Sequence, residues 1–551
     1  FSAQAYLWRG ESNYRLGQYQ IARKDFETFL SKPQKKSTEN LINTYYGIGY
    51  TYFSEKSYTN ATSWFLKCIQ QPQNANSNIK LDALNRLGDC YFYERNFTSA
   101  RKYYNQVIEA KTKGADYATF QNAFILGLQK RYNEKIEILE NLLKTMPNSE
   151  YRGNALYEIG RSYVMLEKNS EAISTYQEVV EKYPKNTLAR KASLEIGMLY
   201  FNIGEAEKAK QAYKQVIAKY KGSDEARTAF ESLEALHVET NDVQAFLEYC
   251  KTLGRNYAAS VSGDKGDSLS FIAAERVYAK EDYTNAIVTL KQYLQQYCIS
   301  SSSKNCITAR YYLASSYYNL EKFDEALNEY KEVSLIDGNK YIEESLIRAA
   351  EITYNKKQYE KSQEFFKKLL DEASNTENRN IARLGVLRCS HFQNDYKTTI
   401  NIANEILAGN ITNEELERES RYNRAKAHIA LNQIVEAEED LRFLSQDLMQ
   451  EMGSESKYLL AQYLFDVKKL DESEAEIFDF IEKNTPYQFW LARCFVLLAD
   501  IYVEKGDDFQ AKQYLLSLRD NYKVQDDIQG LIAERLEKIE KREKDNAETE
   551  K

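Results

Sequence analysis

In "EIGRSYVMLEKNSEAISTYQEVVEKYP", Glu158 to Pro184, Gly160 is followed twelve residues later by Ala172 and four after that by Tyr176. The same register returns at Gly197, Ala209 and Tyr213. Along the chain the first small position reads Gly10, Gly49, Gly88, Ala123, Gly160, Gly197, Ala274, Ala314, Ala350, Ala425, Ala461 and Ala499, with Leu233 and Leu387 breaking the series. The second reads Ala22, Ala61, Ala100, Ala172, Ala209, Ala245, Ala286, Ala326, Ala437 and Ala511, with Ser362, Thr399 and Ser473 as modest substitutes and Lys135 as the outlier. Large residues follow at Phe26, Phe65, Tyr104, Tyr176, Tyr213, Tyr249, Tyr330 and Phe366. Fourteen units result, spaced 35 to 41 residues apart.

The physical reading is a close crossing of two helices in each unit. Small residues let two backbones approach, and a large one a turn further on fills the groove beside them. Short turns such as "SEKSY", "LEKNS" and "NIGEA" separate the two helices. One hairpin cannot bury its apolar stripe alone, so neighbours stack and the core becomes continuous. With 5 Pro and 21 Gly against 44 Tyr and 24 Phe, the composition agrees with a helical, aromatic-packed chain.

This register resembles the tetratricopeptide repeat over nearly the whole chain. The units are longer than that family's 34-residue period, and most lack its Trp. The resemblance implies an all-α fold, an α-solenoid of about fourteen helix-turn-helix repeats forming a superhelix. Residues 1–253 hold about seven repeats and 269–523 about seven more. "GRNYAASVSGDKGDS" at 254–268 reads as a loop or hinge, and 524–551 as a capping helix that frays into a charged tail.

The charge balance, 74 basic against 82 acidic residues closely mixed, disfavours nucleic acid as a partner. No stretch is long and apolar enough for a membrane span, and "FSAQAYLWRG" has the look of a helix interior, as though upstream sequence, with a membrane tether in it, preceded it. Of seven cysteines, Cys68, Cys90, Cys250, Cys389 and Cys494 fall in helical patterns and read as small buried apolar groups. Cys298 and Cys306 flank the polar run "ISSSSKN", which leaves two alternatives open: a disulfide stapling two helix ends, or two independent thiols. The linkers "EKYPKNTLARKASLEIG" and "AKYKGSDEARTAFESL" resemble those of bacterial cell-envelope repeat proteins, namely outer-membrane assembly lipoproteins and periplasmic cell-division coordinators. That resemblance implies a periplasmic or outer-membrane-associated location, with the cytoplasm as the alternative.

Chemistry is sparse. His237, His391 and His428 lie in different units, so no metal site is expected from them. "GIGYTYF" at Gly47 has Tyr52 where a dinucleotide loop needs glycine, and "SGDKGDS" lacks the ending of a phosphate loop. Trp8, Trp64 and Trp490 are assigned to the core. No catalytic residue and no cofactor is expected, and the chain is read as a non-enzyme. In the repeats it resembles, the first helix lines the inner face, which here implies partner-binding positions at Tyr46, Tyr50, Asn85, Asp89, Tyr157, Arg161, Tyr311, Ser315, Arg388 and Tyr422. Tyr with Arg and Asn suits an extended peptide or a helix laid in a groove. The family's clamp for a peptide carboxylate needs a Lys/Asn set, whereas Arg161, Met198, Glu275, Glu351 and Arg388 are mixed. The expected function is a protein-interaction scaffold organising envelope proteins. Its alternatives are a cytoplasmic adaptor and, disfavoured by the lack of long insertions, a glycan-binding accessory protein.

Overall fold

The computed structural model describes residues 2–72, 78–299, 303–409 and 413–549. Among them are thirty helices, of which twenty-eight form fourteen consecutive antiparallel hairpins. The chain is an all-α solenoid that divides into two compact units, Phe1–Ala258 and Ala259–Lys551. In each unit the second helix of a hairpin packs on its own first helix and on the first helix of the next hairpin. Within Phe1–Ala258 the core is a row of clusters along the hairpins, such as Leu156, Ala172, Tyr176 and Ala192. In Ala259–Lys551 the equivalent row includes Leu290, Ala314, Tyr330 and Ala349.

The hairpin turn is three residues long in all fourteen. The middle one is left-handed: Gly17, Gly204 and Gly506 at three turns, and Lys56, Arg95, Lys130, Glu167, Asn241, Glu281, Glu321, Lys357, Asn394, Asn432 and Lys468 at the others. At Glu167 the amide of Lys168 donates to Tyr163 O at 2.9 Å and that of Glu167 to Val164 O at 3.0 Å. These are the two bonds that satisfy a helix's last carbonyls when a left-handed residue ends it.

The crossing is tighter than two small residues alone require. A Cβ on Gly160 would lie 2.6 Å from Tyr176 Cε1, and one on Gly49 2.7 Å from Phe65 Cε1. Gly10 faces Phe26, Gly88 faces Tyr104 and Gly197 faces Tyr213 in the same way. Every glycine of the series carries an aromatic ring on its bare Cα, and Tyr104, Tyr176 and Phe65 are fully buried there. Burying such a ring contributes roughly 1.5–3 kcal/mol. Where the first position is Leu387, the large position is Ala403, and both are fully buried. The break in the series is a size exchange across one contact.

Three expectations are corrected. In the seventh hairpin, helix Val243–Leu253 begins so that Phe246 and Cys250, both buried, occupy the places of Ala172 and Tyr176. Ala245 and Tyr249, each one residue too early, are only partly buried. The break at Leu233 is likewise a one-residue offset, because the matching position is Glu234. The stretch 254–268 carries helix Arg255–Ser260 and the start of Asp264–Ala279. Its glycines interrupt rather than abolish helix: Gly254 has φ 110° and Gly263 φ 61°. Where a charged tail was expected, the described residues are helical over Ile528–Thr549. Ile528, Ile532 and Ile539 are buried, and the charged part is rich in good helix formers carrying pairs such as Lys538–Glu534 at 2.6 Å.

Candidate functional site

The first helices of the second and third hairpins, Thr38–Ser54 and Asn78–Tyr93, bring four of the ten expected positions together. Tyr46 and Tyr50 both donate their phenol protons to Asp82 Oδ2, at 2.7 and 2.6 Å. Arg86 stands one turn on, 2.6 Å from Asp89, and its guanidinium lies over Tyr117 at 5.1 Å. Asp89 Oδ1 accepts from Tyr104 at 2.6 Å and from Tyr117 of the following hairpin at 2.7 Å. Burial pushes the Asp89 carboxyl up, and Arg86 opposes the rise. Burial next to Asp82 also drives the Tyr46 phenol far above its ordinary range. Asn85 Nδ2 donates to Gly114 O at 3.2 Å. Asn85 and Asp89, expected on an open face, are 3% and 4% exposed.

Tyr157 is also buried, against the Tyr176 ring with centroids 5.5 Å apart. Arg161 is the most open of the set in this unit, its side chain 56% exposed with Nη1 2.9 Å from Glu158 Oε1. In the second unit Tyr311 stacks on Tyr341 of the next hairpin, centroids 4.1 Å apart and planes 12° from parallel. Burial pushes its phenol up to about 12. Ser315 shares a hydrogen bond with Tyr278 of the preceding hairpin at 3.0 Å. Arg388 holds Glu419 with two bonds, 2.5 and 2.7 Å. Tyr422 donates to Glu455, which Lys426 also pairs at 3.0 Å.

A correction follows for the binding face. Asn85, Asp89 and Tyr157 are interior groups, and most of the ten positions join one first helix to the next rather than stand free. The physical reason is geometric: consecutive first helices touch, so a side chain aimed along that face meets the next unit about one period later. Sequence reasoning missed the partners Asp82, Arg86, Tyr278, Tyr341, Glu419 and Glu455. Their signal was a phenol or cation matched one repeat on by an acid or ring, as in Tyr46 with Asp82. Tyr46, Tyr50, Tyr311, Arg388 and Tyr422 are the members of these rungs that stay only partly buried. Such groups bind amphipathic chains well.

Elsewhere, His237 Nδ1 donates to Asp242 O at 2.9 Å, and burial lowers its proton affinity. His391 is lowered by burial as well, and His428 meets Gln433 at 3.0 Å. Among the described residues no group of three or more His, Cys, Asp or Glu is arranged to hold a metal, and no helix is long and apolar enough to cross a membrane. The five cysteines of the helical patterns are buried thiols, and burial pushes Cys68 and Cys90 up to about 12. Cys298 and Cys306 are joined as a disulfide, Cα atoms 5.7 Å apart, between the end of Tyr283–Tyr297 and the start of Cys306–Asn319. Of the tryptophans only Trp8 departs from the core, 61% exposed, while Trp64 and Trp490 are partly buried against core clusters, beside Tyr45 and Tyr458.

Tetratricopeptide-repeat models match residues 4–34, 42–74, 81–113, 154–186, 191–223 and 488–523. No curated protein matches the chain. Among solved structures it is similar to YrrB, described as a TPR protein with an unusual peptide-binding site: 19% identity, 34% of this chain and 89% of that one, TM-score 0.28. It is similar to MamA from Desulfovibrio magneticus RS-1 at 15% identity, over 34% of this chain and 99% of that one, TM-score 0.29. It is also similar to a chain of the Naa15/Naa10 complex bound to HypK-THB, at 14% identity over 98% and 96%, TM-score 0.29. The six segments that the tetratricopeptide-repeat models match coincide with hairpins of the solenoid.

Proposed function

We propose that this chain is a non-enzymatic scaffold that binds protein or peptide partners along the face made by its first helices, and that it works in the bacterial envelope. The observation that carries the reading is the set of partly buried Tyr and Arg rungs on those helices within each unit, Tyr46 and Tyr50 in the first and Tyr311, Arg388 and Tyr422 in the second. Each rung is held rigid by the next repeat, so a partner meets preorganised side chains and little ordering entropy is lost on binding. The repeat matches support interaction as the mode of action. The Cys298–Cys306 bond and the envelope-like linkers support the location.

A photo-crosslinking residue placed at Arg161, Tyr311 or Tyr422, against one at exposed Lys24 or Glu171 on second helices, tests the face. Partners are expected from the first-helix positions and from envelope fractions. Crosslinks confined to Lys24 and Glu171 would reject the face, and partners found only in cytosol would reject the location in favour of a cytoplasmic adaptor.

A further inference from the structure

Among the fourteen hairpins the fourth places a charge at the position where most carry a small residue. Lys135 sits where Ala172 sits in the next repeat, and it is 5% exposed. Its Nζ lies 2.5 Å from Glu158 Oε2, and Arg161 holds the other oxygen of that carboxylate at 2.9 Å. Glycine at position 127 leaves the path open, since a Cβ there would stand 3.2 Å from Lys135 Cδ and Nζ. A buried ion pair is a poor way to stabilise a core, because apolar residues of equal volume do as well or better. Beside the pair lies a cavity of about 330 Å³, lined from the first helices Ala115–Leu128, Arg152–Met165 and Thr187–Asn202 and by Tyr132, Lys135 and Tyr176 of the second helices between them.

The cavity is amphipathic. Leu128 and Met165 form an apolar rim, 51% and 59% exposed. Inside, Lys135, Glu158 and Arg161 satisfy one another. Glu195 also lines the cavity, partly buried, with neither a hydrogen bond nor an ion pair to its carboxylate. Burial pushes its carboxyl up, which Arg161 offsets in part. The phenols of Tyr157, Tyr176 and Tyr213 lie near enough to feel its charge. The four charged groups sum to zero, and the one group short of a partner is an acceptor.

We infer that this cavity receives a single long cationic side chain, arginine or lysine, of a bound peptide, with the apolar stem on Leu128 and Met165 and the charged head on Glu195. The inference rests on the peptide-binding reading above and names the residue type the partner presents. An arginine fits best, because a planar guanidinium donates to a carboxylate with two bonds and stacks on tyrosine faces.

The test uses the full chain and dye-labelled, end-blocked peptides Gly-Leu-Xaa-Leu-Gly, read by fluorescence anisotropy, with Xaa as arginine, its neutral isostere citrulline, or glutamate. The arginine peptide is expected to saturate, and citrulline to weaken binding by about tenfold or more, as the loss of a charge-assisted hydrogen bond demands. Glu195→Gln, which keeps the shape, is expected to erase that preference while its melting curve stays unchanged. Met165→Ser is expected to weaken all three peptides alike. Equal binding of arginine and citrulline peptides, an unchanged preference in Glu195→Gln, tighter binding of the glutamate peptide, or no saturation would each overturn the inference. Partner crosslinks at Tyr311 and Tyr422 that persist in such a case would leave the scaffold reading standing and reject the cavity alone.

Discussion

Tyr176 occupies the volume that a side chain on Gly160 would need: the ring carbon Cε1 lies 2.6 Å from where that Cβ would be. The glycine is therefore required by its partner ring. The ring in turn is fully buried only because the glycine is bare.

Changes at the two members are expected to be coupled, not additive. Gly160→Ala forces the ring aside, and Ala172→Leu overpacks the same crossing, each costing on the order of 1–3 kcal/mol. Exposed Lys168→Ala is expected to do little. The double variant Gly160→Ala/Tyr176→Leu reproduces the Ala123 and Leu139 pair of the fourth hairpin, so it is expected to lose less than the sum of its singles. A double-mutant cycle by chemical denaturation reads the coupling; strict additivity would contradict the contact.

The buried pair of the fourth hairpin makes a second case. Glu158→Ala strands Lys135 without its carboxylate, and breaking such a pair typically costs about 3–5 kcal/mol. Lys135→Met/Glu158→Leu removes both charges and is expected to regain most of that loss. Urea midpoints of the three proteins decide it.

Acid is expected to weaken the fold in part through its histidines. Burial keeps folded His237 and His391 neutral to lower pH than in the unfolded chain, whose histidines take up protons below about pH 6.5. The unfolded state then binds more protons, so their contribution is full above that pH and is lost as pH falls through it. His237→Gln is expected to narrow its stability gap to the parent protein as the buffer is taken from neutral to acid. A gap independent of pH would contradict this account.

The Cys298–Cys306 bond closes a short loop, and its removal by Cys298→Ser/Cys306→Ser is expected to cost about 2–3 kcal/mol. Thiol counting on denatured protein purified without reductant offers an independent check. Five of the seven cysteines should react before reduction and all seven after it.

The repeat period and most small positions were legible in sequence because a helix crossing imposes one residue size at one place. Pairwise compensation was harder to read. Leu387 looked like a defect until Ala403 was found opposite it, and in the seventh hairpin Phe246 with Cys250 exchanges the sizes of the usual Ala and Tyr. A pattern tuned to small-then-large slides to Ala245 and Tyr249 there. The candidate face was legible only in part. Tyr46, Arg388 and Tyr422 fall on first helices, but whether a polar side chain stands free depends on its neighbour one period away. Asp82, Glu419 and Glu455 had drawn no notice as members of a row.

The uniform left-handed turn makes the chain editable. Joining Glu167 directly to Glu205 would excise one whole period and leave the same three-residue corner at the splice. The surviving helices would be Arg152–Met165 and Ala206–Lys219, which bring bare Gly160 opposite the ring of Tyr213, a match both already make with other mates. A shortened protein of this kind inherits a fitted seam, and its length becomes a variable independent of its sequence chemistry.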